Sequence, residues 1–132
     1  HPNILDTIQR LNIQQYVSIL SYQPHQKAIQ IIMDSDFIFL VVPNQEKNKG
    51  IIPGKIFEYF KCQSEIILIG NKRSEAALLT KELGYQNIFE INEKFDFNNL
   101  TINQSLDQES TSKFERKNLT ASLAQVFDEI NA

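Results

Sequence analysis

Gly50-Ile51-Ile52-Pro53-Gly54-Lys55-Ile56-Phe57-Glu58-Tyr59-Phe60 reads as a loop, punctuated by glycine and proline, that runs into a short helix. Apolar runs flank it, Phe37-Ile38-Phe39-Leu40-Val41-Val42 before and Ile66-Ile67-Leu68-Ile69-Gly70 after. Uninterrupted apolar runs of this length are what strands covered on both faces of a parallel sheet require. Strand, loop and helix N-terminus in this order make an anion site, because backbone N–H groups and the positive end of the helix dipole point past the strand's carboxyl end. The spacing falls short of a nucleotide P-loop. One residue too few separates Gly50 from Gly54, and Ile56 stands where the magnesium-binding Ser or Thr must be, so ATP hydrolysis is not expected.

Working outward, Ile4, Leu5, Ile8 and Leu11 recur at helical spacing, and Tyr16 to Leu20 reads as a strand. Pro24 ends the next turn and His25 opens a second helix, with Ala28, Ile29, Ile32 and Met33 as its core stripe. Pro43 to Pro53 is a polar loop, and the helix from Gly54 to about Lys61 buries Ile56, Phe57 and Phe60 and leaves Lys55, Glu58 and Tyr59 facing outward. Ser74 caps a helix from Glu75 to Leu83 that Gly84 stops, and Asn87 to Ile91 gives a last short strand. Helix and strand alternate throughout. The fold class that follows is α/β, a Rossmann-like parallel sheet with helices on both faces and right-handed crossovers.

The chain of 132 residues is expected to be a single domain: an α/β core over 1–92, a polar loop over 93–112, and a terminal amphipathic helix over 113–132 built on Leu119, Leu123, Val126, Phe127 and Ile130. Hydrophobic content of 42% and charged content of 22% are ordinary for a globular protein. A net charge of −3, without any dense Lys/Arg cluster, argues against nucleic acid as a partner. The single Cys62 forms no internal disulfide, no apolar run is long enough to span a bilayer, and a reducing cytoplasmic setting is the expectation. The chain begins His1-Pro2 without Met, which reads as a boundary or processing scar. The Asn103-Gln104-Ser105 and Asn118-Leu119-Thr120 triplets are read as chance matches to the glycosylation signal.

The Pro53-Gly54-Lys55-Ile56-Phe57-Glu58-Tyr59 box resembles that of the donor-binding half of GT-B glycosyltransferases of the family-four type. Tyr22-Gln23-Pro24-His25 before a helix, Asp36 leading into an apolar strand, and Ser74-Glu75-Ala76-Ala77 opening the next helix fall in that family's order, so the resemblance covers about Ile4 to Ile91. It implies a truncated GT-B C-terminal half. In the family the normal opening strand, helix and strand, the phosphate-binding Arg and Lys, and the acceptor-binding domain all come earlier in the chain, so this looks like part of a longer transferase that would not act alone.

From spacing alone Glu58 is an exposed helical glutamate near Lys55, worth a few tenths of a kcal/mol. The resemblance implies instead that it accepts hydrogen bonds from the ribose hydroxyls of a nucleoside-diphosphate donor, a role suited to two acceptor oxygens. A second glutamate common in relatives falls at Gly50 here, so sugar recognition would pass to the backbone amides of Gly50, Ile51 and Ile52 or to Glu46. Gly54 would approach the diphosphate, Lys55 would counter its charge or simply be solvated, and Tyr22 and Gln23 would line the base pocket mainly through main-chain atoms. Ser74 and Glu75 are read as cap and first turn, although that loop also borders the nucleotide side of such sheets. His25 has no acid partner nearby in sequence and reads as structural or solvated. Asp34-Ser35-Asp36 precedes its strand, at the end of the sheet away from the site, and is rejected as a metal motif. No other cluster has metal-ligand spacing, and no catalytic residue is assigned.

The function implied is the sugar-nucleotide-binding part of a retaining-type glycosyltransferase, moving a sugar from its donor to an acceptor held by another domain, in polysaccharide or cell-envelope glycan synthesis. No cofactor is expected, the nucleotide sugar being substrate, and the enzyme would be cytoplasmic or peripheral at the inner membrane face. A sugar-nucleotide epimerase of the same fold and a non-catalytic interaction domain stand as alternatives. An uncovered edge strand leaves homodimerisation open.

Overall fold

The computed structural model describes residues 4–43, 50–62, 64–102 and 111–130. Glu46, named above for sugar recognition, lies outside them. In order come α1 (Ile4–Arg10), a 3₁₀ turn (Gln14–Tyr16), α2 (His25–Met33), β1 (Phe37–Val41), α3 (Lys55–Lys61), β2 (Glu65–Ile69), α4 (Glu75–Glu82), β3 (Ile88–Phe89), a second 3₁₀ turn (Phe97–Asn99) and α5 (Arg116–Ile130). The strands form one parallel sheet in the order β1-β2-β3, with Ile38 beside Ile66, Leu40 beside Leu68, and Leu68 in turn beside Ile88. The molecule is thus mixed α/β with a small parallel sheet, compatible with a Rossmann-like half.

Leu40, Val42, Ile66 and Leu68 project from one face of the sheet and pack against Ile56 and Phe60 of α3 and Ala76 and Ala77 of α4. Two successive crossovers running the same way along a sheet place their helices on the same side. The helices of these two crossovers, α3 and α4, therefore share one face of the sheet. On the reverse face rings make contact: Phe39 meets Phe97 at 6.4 Å, Phe97 meets Phe95 at 5.4 Å, and Phe95 stacks on Phe89 at 4.6 Å. Tyr85 is buried and stacks on Phe60 at 5.7 Å. Burial, then the Glu65 charge, pushes its phenol to higher pKa.

The strand expected over Tyr16 to Leu20 is not formed. Gln14–Tyr16 is a 3₁₀ turn, Val17 is extended (φ −118°, ψ 121°), and Tyr16, Val17, Ile19 and Leu20 are all exposed. An extended segment becomes a strand only when a neighbouring ladder accepts its N–H and C=O groups, and the sheet here begins at β1. The last strand, expected over Asn87 to Ile91, is confined to Ile88–Phe89. In the described part of the loop after it, a 3₁₀ turn at Phe97–Asn99 is introduced by Asp96, whose side chain accepts from the Asn98 N–H at 2.9 Å; residues 103–110 of the polar loop expected over 93–112 lie outside the described residues.

Candidate functional site

The carboxyl ends of β1 and β2 lie side by side, with Val42 N–H donating to the Ile69 carbonyl at 2.8 Å. The chain leaves β1 through Val42 and Pro43 and returns at Gly50 to begin α3. Gly54 stands at the N-cap of α3 with ordinary helical dihedrals (φ −56°, ψ −30°), and no side chain caps the helix. The Ile56 N–H donates to the Pro53 carbonyl at 3.0 Å and the Phe57 N–H to the Gly54 carbonyl at 3.3 Å, so the first turn engages two of the donors that an anion would use. At seven residues the helix is also too short to build a strong dipole. The corner is consequently better equipped with a carboxylate than with a phosphate cradle.

That carboxylate is Glu58, in the first turn of α3. Its Oε1 lies 3.3 Å from Nε2 of His25, the first residue of α2, and both side chains are substantially exposed. His25 thus has the acid partner that no local spacing reveals, 33 residues further on. A usable signal was present: each residue opens a helix that follows an extended segment, and in an α/β unit such helix starts collect at one edge of the sheet. Glu58 also acts inward, since burial first and its negative charge second raise the pKa of the Cys62 thiol one turn along α3.

Gly50, Ile51, Ile52 and Lys55 are exposed beside this corner. A Cβ added at Gly50 or Gly54 would meet nothing within 4 Å, and neither glycine adopts a left-handed φ. The described packing does not require glycine at either position. Gln23 is half-buried two residues before His25, its amide donating to the Ser21 carbonyl at 3.0 Å, whereas the Tyr22 ring is 94% exposed and is not gathered to Glu58 by any contact. Ser74 is buried and its hydroxyl accepts the Ala77 N–H at 3.3 Å, so its side chain is committed to capping α4, while Glu75 is exposed. In the loop after β2, Lys72 pairs with Glu93 at 2.6 Å and its N–H donates to Glu90 at 3.1 Å, tying this loop to the one after β3. The Lys72 contact, followed by the Glu90 N–H, holds the Glu93 carboxyl below the usual carboxylate range. Asp34 accepts from Gln30 at 2.9 Å, and among the described residues no group of three or more His, Cys, Asp or Glu is placed to hold a metal ion.

On the flank of α3 a groove of about 920 Å³ runs from Gly54 and Glu58 past Phe57 and Lys61 to Phe114 and Arg116. Phe114 closes its floor, 5.7 Å from Phe57 and 6.5 Å from Phe60, and Lys61 reaches across to Glu115 at 3.2 Å. Among the described residues no helix is long and apolar enough to cross a membrane. Comparison with family models, with curated proteins and with solved structures gives no match.

Proposed function

We propose that this chain is the sugar-nucleotide-binding part of a GT-B glycosyltransferase of the family-four type, with Glu58 as the acceptor for the donor's ribose hydroxyls. One observation carries the reading. The Pro-Gly-Lys-Ile-Phe-Glu-Tyr box opens a helix beyond the carboxyl end of a parallel strand buried on one face, with Glu58 accessible on the first turn and a glycine at Gly54 that the surrounding packing does not need. Ligands of open α/β sheets bind in that crevice. A glycine unexplained from inside the fold is explained by a ligand approaching the backbone from outside.

The chain's own residues then divide the work by their chemistry. Glu58 offers two carboxylate oxygens to vicinal hydroxyls, and His25 holds one of them in place from α2. Lys55 supplies positive charge beside the diphosphate, and the exposed segment Gly50 to Ile52 faces the sugar with backbone groups. Transfer is then a matter of positioning the donor and stabilising the departing diphosphate, with the acceptor brought by another domain. Polysaccharide or cell-envelope glycan assembly is the setting this reading gives.

The unpaired segment Val17–Leu20 supports the same reading. In a doubly wound sheet of order 3-2-1-4-5-6, β1, β2 and β3 would take the places of the fourth, fifth and sixth strands, and a third strand at Val17–Leu20 would be separated from β1 by two intervening strands. It would pair only when upstream residues supply those two.

The test is titration of UDP, GDP and ADP, with and without attached sugars, by ligand-observed NMR against the chain and Glu58→Gln, and then against the full gene product. One nucleotide is expected to bind, with affinity reduced about tenfold or more by Glu58→Gln, in line with loss of a hydrogen bond to a charged group. No nucleotide binding by the full product would overturn the reading in favour of an interaction domain. Binding that ignores the substitution would remove Glu58 from the site.

A further inference from the structure

Gly54, Phe57, Glu58 and Lys61 all line the groove on the flank of α3, and they stand at i, i+3, i+4 and i+7, which is one face of the helix. The groove is therefore continuous with the corner that holds Glu58. It follows α3 for about 10 Å, and Glu58 lies about 6 Å from its Gly54 end. Beyond Glu58 its floor is apolar and its rim is basic. Phe57 and Phe114, both half-buried and packed against the core, make the floor with their rings 5.7 Å apart. On the rim Lys61 is engaged by Glu115, whereas Arg116 and Lys117 are exposed and have no ion-pair partner among the described residues.

We propose, on the reading of Glu58 as the ribose acceptor, that this stretch seats the nucleotide's base and selects one with carbonyl acceptors, uracil or guanine, over adenine. The connectivity of ribose gives the direction. Its vicinal hydroxyls lie between the ring carbon that carries the base and the ring carbon that carries the diphosphate arm. A diol held by Glu58, with the diphosphate beside Gly54 and Lys55, sends the base the opposite way, over Phe57 and toward Phe114. An aromatic floor accepts the face of any base, so selection falls to the rim, which reads the edge. Arg116 and Lys117 are donors only. They match the carbonyl oxygens of uracil or the O6 and N7 of guanine, whereas adenine carries an amino donor where guanine has its carbonyl. Tyr22, where the resemblance puts the base, is 94% exposed and does not line this groove.

Titration of UDP, GDP and ADP against the full gene product and its Arg116→Gln/Lys117→Gln variant tests the proposal. Both side chains are exposed and unpaired, so the variant should melt as the unmodified protein does. UDP or GDP is expected to bind about fivefold or more tightly than ADP. The double variant should lose most of that preference, weakening the favoured nucleotide and leaving ADP within about twofold. In the unmodified protein the Phe114 ring protons should give nuclear Overhauser contacts to the base. A preference that survives the double substitution, or one for ADP, overturns the proposal; if Glu58→Gln still weakens binding, the ribose reading stands without it. All three nucleotides weakened alike would mean that the two cations serve the diphosphate, and a preference lost in Tyr22→Ala instead would move the base to Tyr22; either result overturns the proposal. No binding of any nucleotide overturns it together with the reading of Glu58.

Discussion

Gly70 ends β2 where the sheet leaves no room for a side chain. A Cβ there would stand 2.8 Å from the Val42 carbonyl oxygen and 3.1 Å from the Val42 Cβ, and both of those atoms are fixed by the backbone of the neighbouring segment. Gly54 is the opposite case, since a Cβ would enter open space and the backbone already has helical dihedrals. If Gly54 lies against a nucleotide as proposed, the two glycines separate folding from function. Gly70→Ala is expected to cost about 1–3 kcal/mol, the usual range for overpacking a closed site, and to lower Tm by several degrees. Gly54→Ala should change stability by less than about 1 kcal/mol, because alanine's loss as an N-cap residue is offset by its preference for the helical dihedrals found there, while on the proposed reading it weakens nucleotide binding. Thermal melts of both variants beside the nucleotide titration check this. A Gly54→Ala protein that binds normally would return that glycine to a neutral loop role.

At the scale of elements, α4 shows what local chemistry can specify. Ser74 accepts the Ala77 N–H, Ala76 and Ala77 bury against the sheet, and Gly84 takes a φ of 94° that other residues rarely adopt. Ser74→Ala is expected to destabilise the protein by about 0.5–2 kcal/mol, at the upper end because the orphaned Ala77 N–H is buried. Ser74→Asp should recover part of the loss by supplying another cap acceptor. Urea unfolding of the two variants measures both effects. Capped and strongly periodic elements of this kind were legible in the sequence, as were β1 and β2 from their uninterrupted apolar runs. Val17–Leu20 was not, because whether an extended segment becomes a strand depends on a neighbour and not on its own composition. The site divided along the same line: Glu58 and Gly54 could be singled out from one box, but His25 as the partner of Glu58 depends on two helix starts brought together by the sheet. The ring contact between Phe39 and Phe97 on the reverse face was not legible either, since it joins segments far apart in the chain.

Cys62 reports on the molecule as a whole, because it sits at the joint between α3 and β2 and is 2% exposed. Burial chiefly, with the nearby Glu58 charge behind it, raises the pKa of its thiol above the ordinary value. The folded state therefore keeps its proton in a pH window where the unfolded state has begun to lose it. Stability falls as pH rises through that window, since the unfolded state then binds fewer protons, and the contribution is fully present below the ordinary thiol pKa. Two measurements follow. The slope of unfolding free energy against pH, on the alkaline side of the ordinary thiol pKa, should be less negative in Cys62→Ala than in the unmodified chain, whatever the substitution does to absolute stability. Alkylation of Cys62 by iodoacetamide should be slow in the native protein and should accelerate with urea in proportion to the population of open molecules, because only opening yields an accessible thiolate. Rapid alkylation without denaturant would mean that the α3–β2 joint opens on its own, ahead of the sheet. The surface that carries Glu58 would then be the first part of the fold to loosen, and a nucleotide bound there would slow the reaction by holding it closed.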